Sequence, residues 1–213
     1  TEALEEIGRD LEHARRMQRY FIDTEFLDRP DALPTGITQR YIYRPCIEIG
    51  GDFINVQVID GRYVAIIIAD VAGHGISAAM ATGVIKSGLS LFSAECATAP
   101  ARMLDRLNQH FFELMDGHFA TCAYALVDTV ERTITVSRAG HPYPAFWIQS
   151  ERRSVEAEMR GVALGIVREY SFSEQTFGYA PGDKLFLYTD GIIEQTGLSG
   201  TMYGAERLFS TFA

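Results

Sequence analysis

The sequence predicts an α+β domain in which antiparallel sheets carry helices on their outer sides. Strand-like runs dominate both ends of the main body, two consecutive helices lie between them, and strands do not alternate with helices as βαβ units would require. The chain has 213 residues, of which 47% are apolar. A domain of about 150 residues already buries roughly 70% of its unfolded surface. We therefore expect a core that folds without disulfides or a structural metal.

The first predicted element is an amphipathic helix over residues 2–26. Its apolar residues recur at spacings of three and four, which is typical of one helix face. They are Leu4, Ile7, Leu11, Ala14 and Phe21, with Gln18 at the one polar position of the series. The pattern suits a short coiled coil that pairs two chains as well as a helix folded on its own domain, because three heptads are the minimum for a coiled coil. We assign 1–30 to a linker or coiled-coil helix and 37–213 to the main domain.

Strands are predicted after the proline and glycine residues of 28–36. Residues 37–43 alternate and are rich in β-branched and aromatic side chains. Residues 53–59 and 62–69 then form a predicted hairpin, joined by Asp60-Gly61. This pair favours a type I′ turn, because both turn positions need positive φ.

The predicted turn has a consequence for two aspartates at the open end of the hairpin. It places Asp52 opposite Ala69 and Asp70 opposite Gly51, so flat pairing directs the two carboxylates to opposite faces. We expect a bulge at Gly50-Gly51 to bring them together.

The remaining elements follow from composition and periodicity. Residues 77–92 are apolar on nearly every side and predict a buried helix with Ser77 as its cap. A second helix begins near Pro100 and ends at Gly117. His141 is interpreted as a turn residue that holds the following strand. The other predicted elements are strands at 119–126, 133–137, 144–148, 171–177 and 184–188 and a last helix at 204–212.

Composition argues against several classes of function. The chain has 19 Lys+Arg against 28 Asp+Glu, a net charge of −9, and no run of basic residues, whereas nucleic-acid binding depends on clustered cations. Three cysteines without Cys-x-x-Cys spacing predict neither a disulfide framework nor a thiolate metal site. No stretch approaches the roughly 18 apolar residues of a membrane span, and the first residues carry no signal pattern. We expect a cytoplasmic protein that binds neither nucleic acid nor membrane.

Three aspartates stand at the ends of apolar strands beside glycines. They are Asp52 after Gly50-Gly51, Asp70 after the second hairpin strand, and Asp190 before Gly191. Burying a carboxylate costs several kcal/mol unless it is paired or binds a metal, and no Lys or Arg is adjacent in sequence. A single strand-end Asp is commonly a turn cap, but three that converge suit a hard divalent cation, because Mg²⁺ prefers carboxylates, water and phosphate oxygens.

Six short motifs give the chain a family resemblance. They are GGDF at 50–53, ADVAGHG at 69–75, AGHP at 139–142, LG at 164–165, PGD at 181–183 and YTDGIIE at 188–194. In this order and approximate spacing the chain resembles the bacterial SpoIIE-like phosphatases, a branch of the metal-dependent Ser/Thr phosphatases of the PPM family. The first helix, with Ala14-Arg15-Arg16-Met17-Gln18, also looks like the linker that precedes this domain in response regulators and sensor proteins, including those of the RssB type.

The resemblance implies a β-sandwich flanked by helices, with two Mn²⁺ or Mg²⁺ ions at one edge. By motif match, Asp52 and Asp70 would be the central ligands, the carbonyl of Val71 would add a backbone oxygen, and Asp190 would bind the second ion. The ions would lower the pKa of a bridging water, which would attack the phosphorus of phosphoserine or phosphothreonine in line. Asp52 and Asp70 would thus act in catalysis through the metal-bound water, and His74 could contact the substrate or cap the next helix.

The resemblance also implies partners. The usual substrate in this branch is a phosphorylated STAS-type anti-sigma-factor antagonist, and we expect a receiver or sensor domain upstream in the same chain and a possible homodimer through the first helix. The family normally carries a further ligand aspartate in an Asp-Asp-x-Thr-like motif about 30 residues beyond Ala213, so we expect either a truncated chain or one lost metal site. The latter makes a non-catalytic adaptor in sigma-factor control the alternative to an active enzyme.

Overall fold

The computed structural model describes residues 2–22, 29, 33–44, 50–73, 75–197 and 200–212. The helices there are α1 (Glu2–Phe21), α2 (Ile76–Cys96), α3 (Pro100–Leu114), α4 (Gly191–Glu194) and α5 (Ala205–Phe212). The strands are β1 (Asp52–Ile59), β2 (Tyr63–Val71), β3 (Ala120–Asp128), β4 (Thr133–Ala139), β5 (Ala145–Ile148), β6 (Arg153–Glu156), β7 (Glu174–Gly178) and β8 (Lys184–Phe186). Strand β6 and the short helix α4 are the two elements that the sequence pattern did not predict.

The strands form two antiparallel sheets, of order β1-β2-β3-β4-β7 and β6-β5-β8. Side chains from both sheets meet between them, as in the Phe146–Phe177 contact, where the ring centroids are 4.7 Å apart. Helices α2 and α3 pack against each other and against the larger sheet. The predicted α+β class, antiparallel sheets flanked by helices, is therefore confirmed.

Strand β3 lies at the centre of the larger sheet and is covered on both faces. Every residue of β3 is buried except Thr121, which is half-buried. Polar groups at this depth have partners: the Tyr124 hydroxyl donates to the carbonyl of Ala97 at 2.8 Å. A strand buried on both faces reads as a nearly continuous apolar run, which is why its position was predictable.

The turn of the β1–β2 hairpin has the predicted type. Asp60 and Gly61 have φ values of 51° and 66°, and the Arg62 N–H donates to the carbonyl of Ile59 at 3.1 Å. Both features define a type I′ turn. Arg62 itself leaves the ladder, because its carbonyl accepts the N–H of Thr129 at 3.2 Å in the neighbouring β3–β4 turn.

The hairpin loop has three residues instead of the predicted two, so the register of β1 and β2 differs from the predicted one. Ile59 pairs with Tyr63, and Asp52 pairs directly with Asp70, so the pairing of Asp52 with Ala69 and of Asp70 with Gly51 was wrong. Directly opposed residues share one face of a sheet. The two carboxylates therefore meet without the expected bulge.

Residues 37–43, predicted as a strand, are extended but belong to neither sheet as the described residues define them. Odd-numbered positions from 37 to 44 are half-buried and even-numbered positions are exposed. Ile37, Tyr41 and Tyr43 pack against the core. The alternation therefore reports correctly which side chains face the domain, but a strand also requires a second backbone at ladder distance.

Helix α1 contacts the main domain near its C-terminal end. Gln18, which is 5% exposed, donates through Nε2 to the carbonyl of Gly50 at 2.5 Å. A Cβ on Gly83 of α2 would lie 3.1 Å from the Phe21 ring. This end of α1 therefore folds onto its own domain, while the side chains of Leu4, Ile7, Leu11 and Ala14 and the predicted helical residues 23–26 lie outside the described residues.

Helix α2 departs from the sequence interpretation at its start. Gly75 occupies the N-cap and no side chain caps the helix, so the prediction of Ser77 as cap was wrong. Ser77 lies within the first turn, where its Oγ is 2.8 Å from Nε2 of His118. Helix α2 is also long and apolar enough to cross a membrane by length and composition alone, a test that buried helices of soluble domains also pass.

Candidate metal centre

The open end of the β1–β2 hairpin brings two carboxylates face to face. Asp52 begins β1, Asp70 lies next to the last residue of β2, and the two are cross-strand partners. The Cβ atoms of such partners lie about 4.5–5.5 Å apart, and like charges at this separation destabilise the sheet. Both side chains are half-buried, so water screens the repulsion incompletely.

A third carboxylate approaches from the smaller sheet. Asp190 follows β8 and occupies the N-cap position of α4, but its side chain makes no capping hydrogen bond. The preceding residue, Thr189, donates a side-chain hydrogen bond to Asp52. The turn-cap interpretation therefore does not hold for Asp190, whose carboxylate is left facing the pair on the hairpin.

The electrostatic effect of this convergence is large. Burial, and then the charges of Asp52, Asp190 and Glu194, together raise the pKa of Asp70 to about 7. Burial also raises the pKa of Asp52, against the lowering effect of the Thr189 hydrogen bond and with a contribution from Asp190. The pKa of Tyr43 rises to about 12, mainly through burial and also through Asp52.

No cation balances these charges within the described part of the chain. The ion pairs found there join other residues, such as Arg62 with Asp128 and Arg168 with Glu113. Unpaired carboxylates in a partly dry site are costly, so the cluster is a place where a bound cation would be strongly favoured.

Gly51 allows the two strands to approach each other closely beside the cluster. A Cβ at this position would lie 2.3 Å from the carbonyl oxygen of Val71 and 3.1 Å from Oδ1 of Asp70. The N–H of Val71 donates to the carbonyl of Gly51 at 3.1 Å, which fixes this close approach. The glycine therefore keeps one backbone oxygen and one carboxylate oxygen unobstructed, and both are ligand types that Mg²⁺ and Mn²⁺ accept.

The carboxylate and carbonyl oxygens of this site are the ligand types of a hard divalent cation, but three carboxylates of the described residues do not surround a single position. Across the described ranges, no three His, Cys, Asp or Glu side chains are grouped closely enough to enclose one ion together. Magnesium commonly binds through only one or two carboxylates, with water and phosphate oxygens as the other ligands. An ion bound in this way would have coordination positions left for water or phosphate oxygens.

The structure therefore brings together Asp52, Asp70 and Asp190, with the Val71 carbonyl beside Asp70. His74 lies outside the described residues. Sequence reasoning missed Thr189 and Glu194, although both stand in the YTDGIIE motif. The spacing of four residues from Asp190 to Glu194 could have placed both on one side of a helix. This spacing points to the site only when α4 is known to lie beside the hairpin.

Comparison with known proteins identifies the family. The family described as Stage II sporulation protein E (SpoIIE) matches residues 60–213. The chain therefore belongs to the SpoIIE family, and the resemblance inferred from the six motifs is confirmed, whereas the RssB-type context stays a prediction.

Individual relatives agree with this assignment. The chain is 27% identical over 195 residues to the phosphoserine phosphatase RsbP and 28% identical over 191 residues to the phosphoserine phosphatase RsbU, both of Bacillus subtilis (strain 168). These matches cover 88% and 89% of this chain but 46% and 55% of the relatives. The chain thus spans about half the length of these proteins.

A solved structure with the same fold is the SiaA-PP2C domain of Pseudomonas aeruginosa. It superposes with a TM-score of 0.85 at 21% identity, over 99% of this chain and 82% of the other. This likeness shows a PP2C-type fold.

Replacing Asp70 with Asn is expected to stabilise the protein when divalent cations are chelated. A carboxyl group whose pKa is raised by folding binds its proton more tightly in the folded state, so the free energy of unfolding falls as pH rises from about 4 to about 7. One pKa unit corresponds to about 1.4 kcal/mol. After allowance for solvent screening of a half-buried group, we expect a gain of roughly 1–2 kcal/mol at neutral pH.

Urea unfolding in EDTA between pH 5 and pH 8 measures this effect. The wild-type protein should lose stability across the range more steeply than Asp70→Asn. Asp60→Asn, which alters a carboxyl group in the hairpin turn, is the matched control and should follow the wild-type profile. An Asp70→Asn protein less stable than wild type at pH 8 would contradict the electrostatic account.

Proposed function

We propose that the chain is a metal-dependent phosphatase that removes phosphate from phosphoserine or phosphothreonine in a regulatory protein. The observation that carries the proposal is the pairing of Asp52 with Asp70, facing Asp190, without a balancing cation in the described residues. Membership of the SpoIIE family and the similarity to two phosphoserine phosphatases support the reaction class.

The residues proposed to hold the metal are Asp52, Asp70, the carbonyl of Val71 and Asp190. Two Mn²⁺ or Mg²⁺ ions are expected, or one if the further ligand of the family is lacking. Bound divalent ions supply a water of lowered pKa and stabilise charge on phosphoryl oxygens.

The chain's own groups prepare this site. Thr189 donates to Asp52 and so fixes the orientation of one carboxylate relative to the loop that carries Asp190. Gly51 keeps the Val71 carbonyl accessible. The raised pKa of Asp70 means that its carboxyl group competes poorly for a cation at acid pH, so activity should require neutral or higher pH. His74 stays a candidate for substrate contact.

The proposed substrate is a phosphorylated STAS-type anti-sigma-factor antagonist in the cytoplasm. The similarity to two phosphoserine phosphatases supports a phosphoserine substrate, and an upstream receiver or sensor domain in the same chain is part of the proposal. A net charge of −9 disfavours nucleic acid as an additional partner.

A non-catalytic adaptor is the second candidate. It is favoured by the lack of any three-carboxylate group close enough to enclose one ion among the described residues. The two candidates differ in one variant: Asp70→Asn should abolish the cellular output of an enzyme and leave that of an adaptor intact.

We expect the protein to hydrolyse p-nitrophenyl phosphate when Mn²⁺ is supplied. Asp52→Asn and Asp190→Asn should each reduce kcat/KM by at least about 100-fold, because each removes charge from the cation site. Steady-state rates across a Mn²⁺ titration provide the measurement, with Asp60→Asn as the control. Wild-type protein that is inactive at every Mn²⁺ concentration would overturn the enzyme proposal.

The Gly51→Ala variant tests the role of the Val71 carbonyl in the same assay. Gly51→Ala places a methyl group against the Val71 carbonyl and should increase the Mn²⁺ concentration needed for half-maximal rate. Gly191→Ala is the matched control beside Asp190, because a Cβ there meets nothing within 4 Å.

We further propose that α1 belongs to a linker over residues 1–30 that transmits a signal to the domain over 37–213 or pairs two chains. The contact of Gln18 with Gly50, two residues before Asp52, supports transmission. Sedimentation equilibrium of the chain against one that lacks residues 1–26 tests the pairing. A dimer that becomes a monomer on truncation is the expected result, and identical monomeric behaviour of both would remove the dimer.

A further inference from the structure

His141 is held rigidly in the interior behind the candidate metal centre. It is 1% exposed, and its carbonyl accepts a hydrogen bond from Nε of Arg138. The preceding residue, Gly140, has a φ of +69°, and a Cβ there would lie 3.0 Å from the backbone nitrogen of Ala163. Backbone conformation and packing therefore leave the imidazole little freedom.

One side of the imidazole contacts the strand that pairs with Asp70. Nδ1 of His141 lies 2.8 Å from Oγ1 of Thr121, within hydrogen-bond distance. Thr121 is in turn the cross-strand partner of Asp70, so the two side chains lie on the same face of the sheet. A single threonine thus separates the buried ring from a proposed metal ligand.

The other side of the imidazole faces the segment that carries the remaining carboxylate. Nε2 is buried and has no hydrogen-bond partner among the described residues, and the backbone of Tyr188 lies near the ring. Tyr188 is followed by Thr189, which donates to Asp52, and by Asp190. The ring thus stands between the two sheets at the level of the cluster.

Packing alone does not require a polar side chain at position 141 or its contact with Thr121. A buried polar atom that lacks a partner destabilises the fold, so an apolar residue of similar size would fill the space at a lower cost in free energy. The interpretation of His141 as a turn residue that holds the next strand explains its burial but not its contact with Thr121.

We propose that His141 is a positioning residue for the metal centre, because its ring links the rung of Asp70, through Thr121, to the segment that presents Asp190. The inference rests on the proposed function, since it concerns the same carboxylates. Substitution of residues that orient metal ligands without touching the metal typically changes metal affinity by about 10–100-fold. Loss of this link should therefore weaken metal binding while leaving the fold in place.

Two pairs of variants separate the link from packing. In Thr121→Val the hydroxyl is removed at nearly constant volume, whereas Thr121→Ser retains it. His141→Asn keeps a polar atom at the position of Nδ1, and His141→Gln moves the polar end to the position of Nε2. Thr135→Val is the matched control, because it removes the comparable contact of 2.9 Å with Thr176 between β4 and β7, away from the cluster.

Calorimetric titration of the full chain with Mn²⁺ is the main measurement, with thermal unfolding in EDTA as the check on folding. Thr121→Val, His141→Gln and His141→Asn should each weaken Mn²⁺ binding by roughly tenfold, because each breaks one half of the link, whereas Thr121→Ser and Thr135→Val should stay within about threefold of wild type. If the His141 variants do not fold, the Thr121 pair decides alone.

Equal Mn²⁺ affinity of Thr121→Val, Thr121→Ser and wild type would overturn the positioning role. This outcome differs from failure of the proposed function. Wild-type protein that binds Mn²⁺ without hydrolysing phosphomonoesters would remove the phosphatase and leave the positioning role to be judged by binding, whereas wild-type protein that binds no Mn²⁺ would overturn both.

Discussion

Repulsion among carboxylates at one end of the β-sandwich is the constraint on which the rest of the site depends. Asp52 and Asp70 oppose each other across two strands, and Asp190 faces them from the second sheet. The described residues offer no Lys or Arg partner, so burial and mutual charge raise the pKa of Asp70 to about 7. A fold that holds such a cluster sacrifices stability there, which is typical of functional sites. A bound divalent cation would offset the repulsion among the carboxylates, so the same arrangement serves as a cation-binding site.

The geometry of that site is set partly at the opposite end of the hairpin. The carbonyl of Arg62 accepts the N–H of Thr129, and its guanidinium donates to Asp128. These contacts take Arg62 out of the β1–β2 ladder. A shift of one residue in register transfers every side chain to the other face of a sheet. The register in which the two carboxylates meet is therefore the one in which Arg62, beyond the seventh rung from them, is held by the neighbouring turn.

The contact of Arg62 with the β3–β4 turn also separates what the sequence could predict from what it could not. The type I′ turn at Asp60-Gly61 was predictable because it depends on two adjacent residues, but the register was not, because Arg62 is held by a turn more than 60 residues later in the chain. The alternation of 37–43 identified the inward side of this segment, but it could not show that the segment joins neither sheet of the described residues. The three aspartates were found from their strand-end positions, and their assignment as ligands came from the family motifs. Thr189 and the Thr121–His141 contact needed the packed sheets, since each joins segments distant in sequence.

Anomalous diffraction from crystals grown with Mn²⁺, recorded at the manganese absorption edge, tests directly whether the carboxylate cluster binds a divalent cation. Manganese bound there should give anomalous peaks within coordination distance of Asp52 and Asp70, with Asp190 beside the same cluster and the Val71 carbonyl directed at a bound ion. Crystals at saturating Mn²⁺ that show no peak at these carboxylates, or peaks only elsewhere on the protein, would contradict cation binding by this cluster.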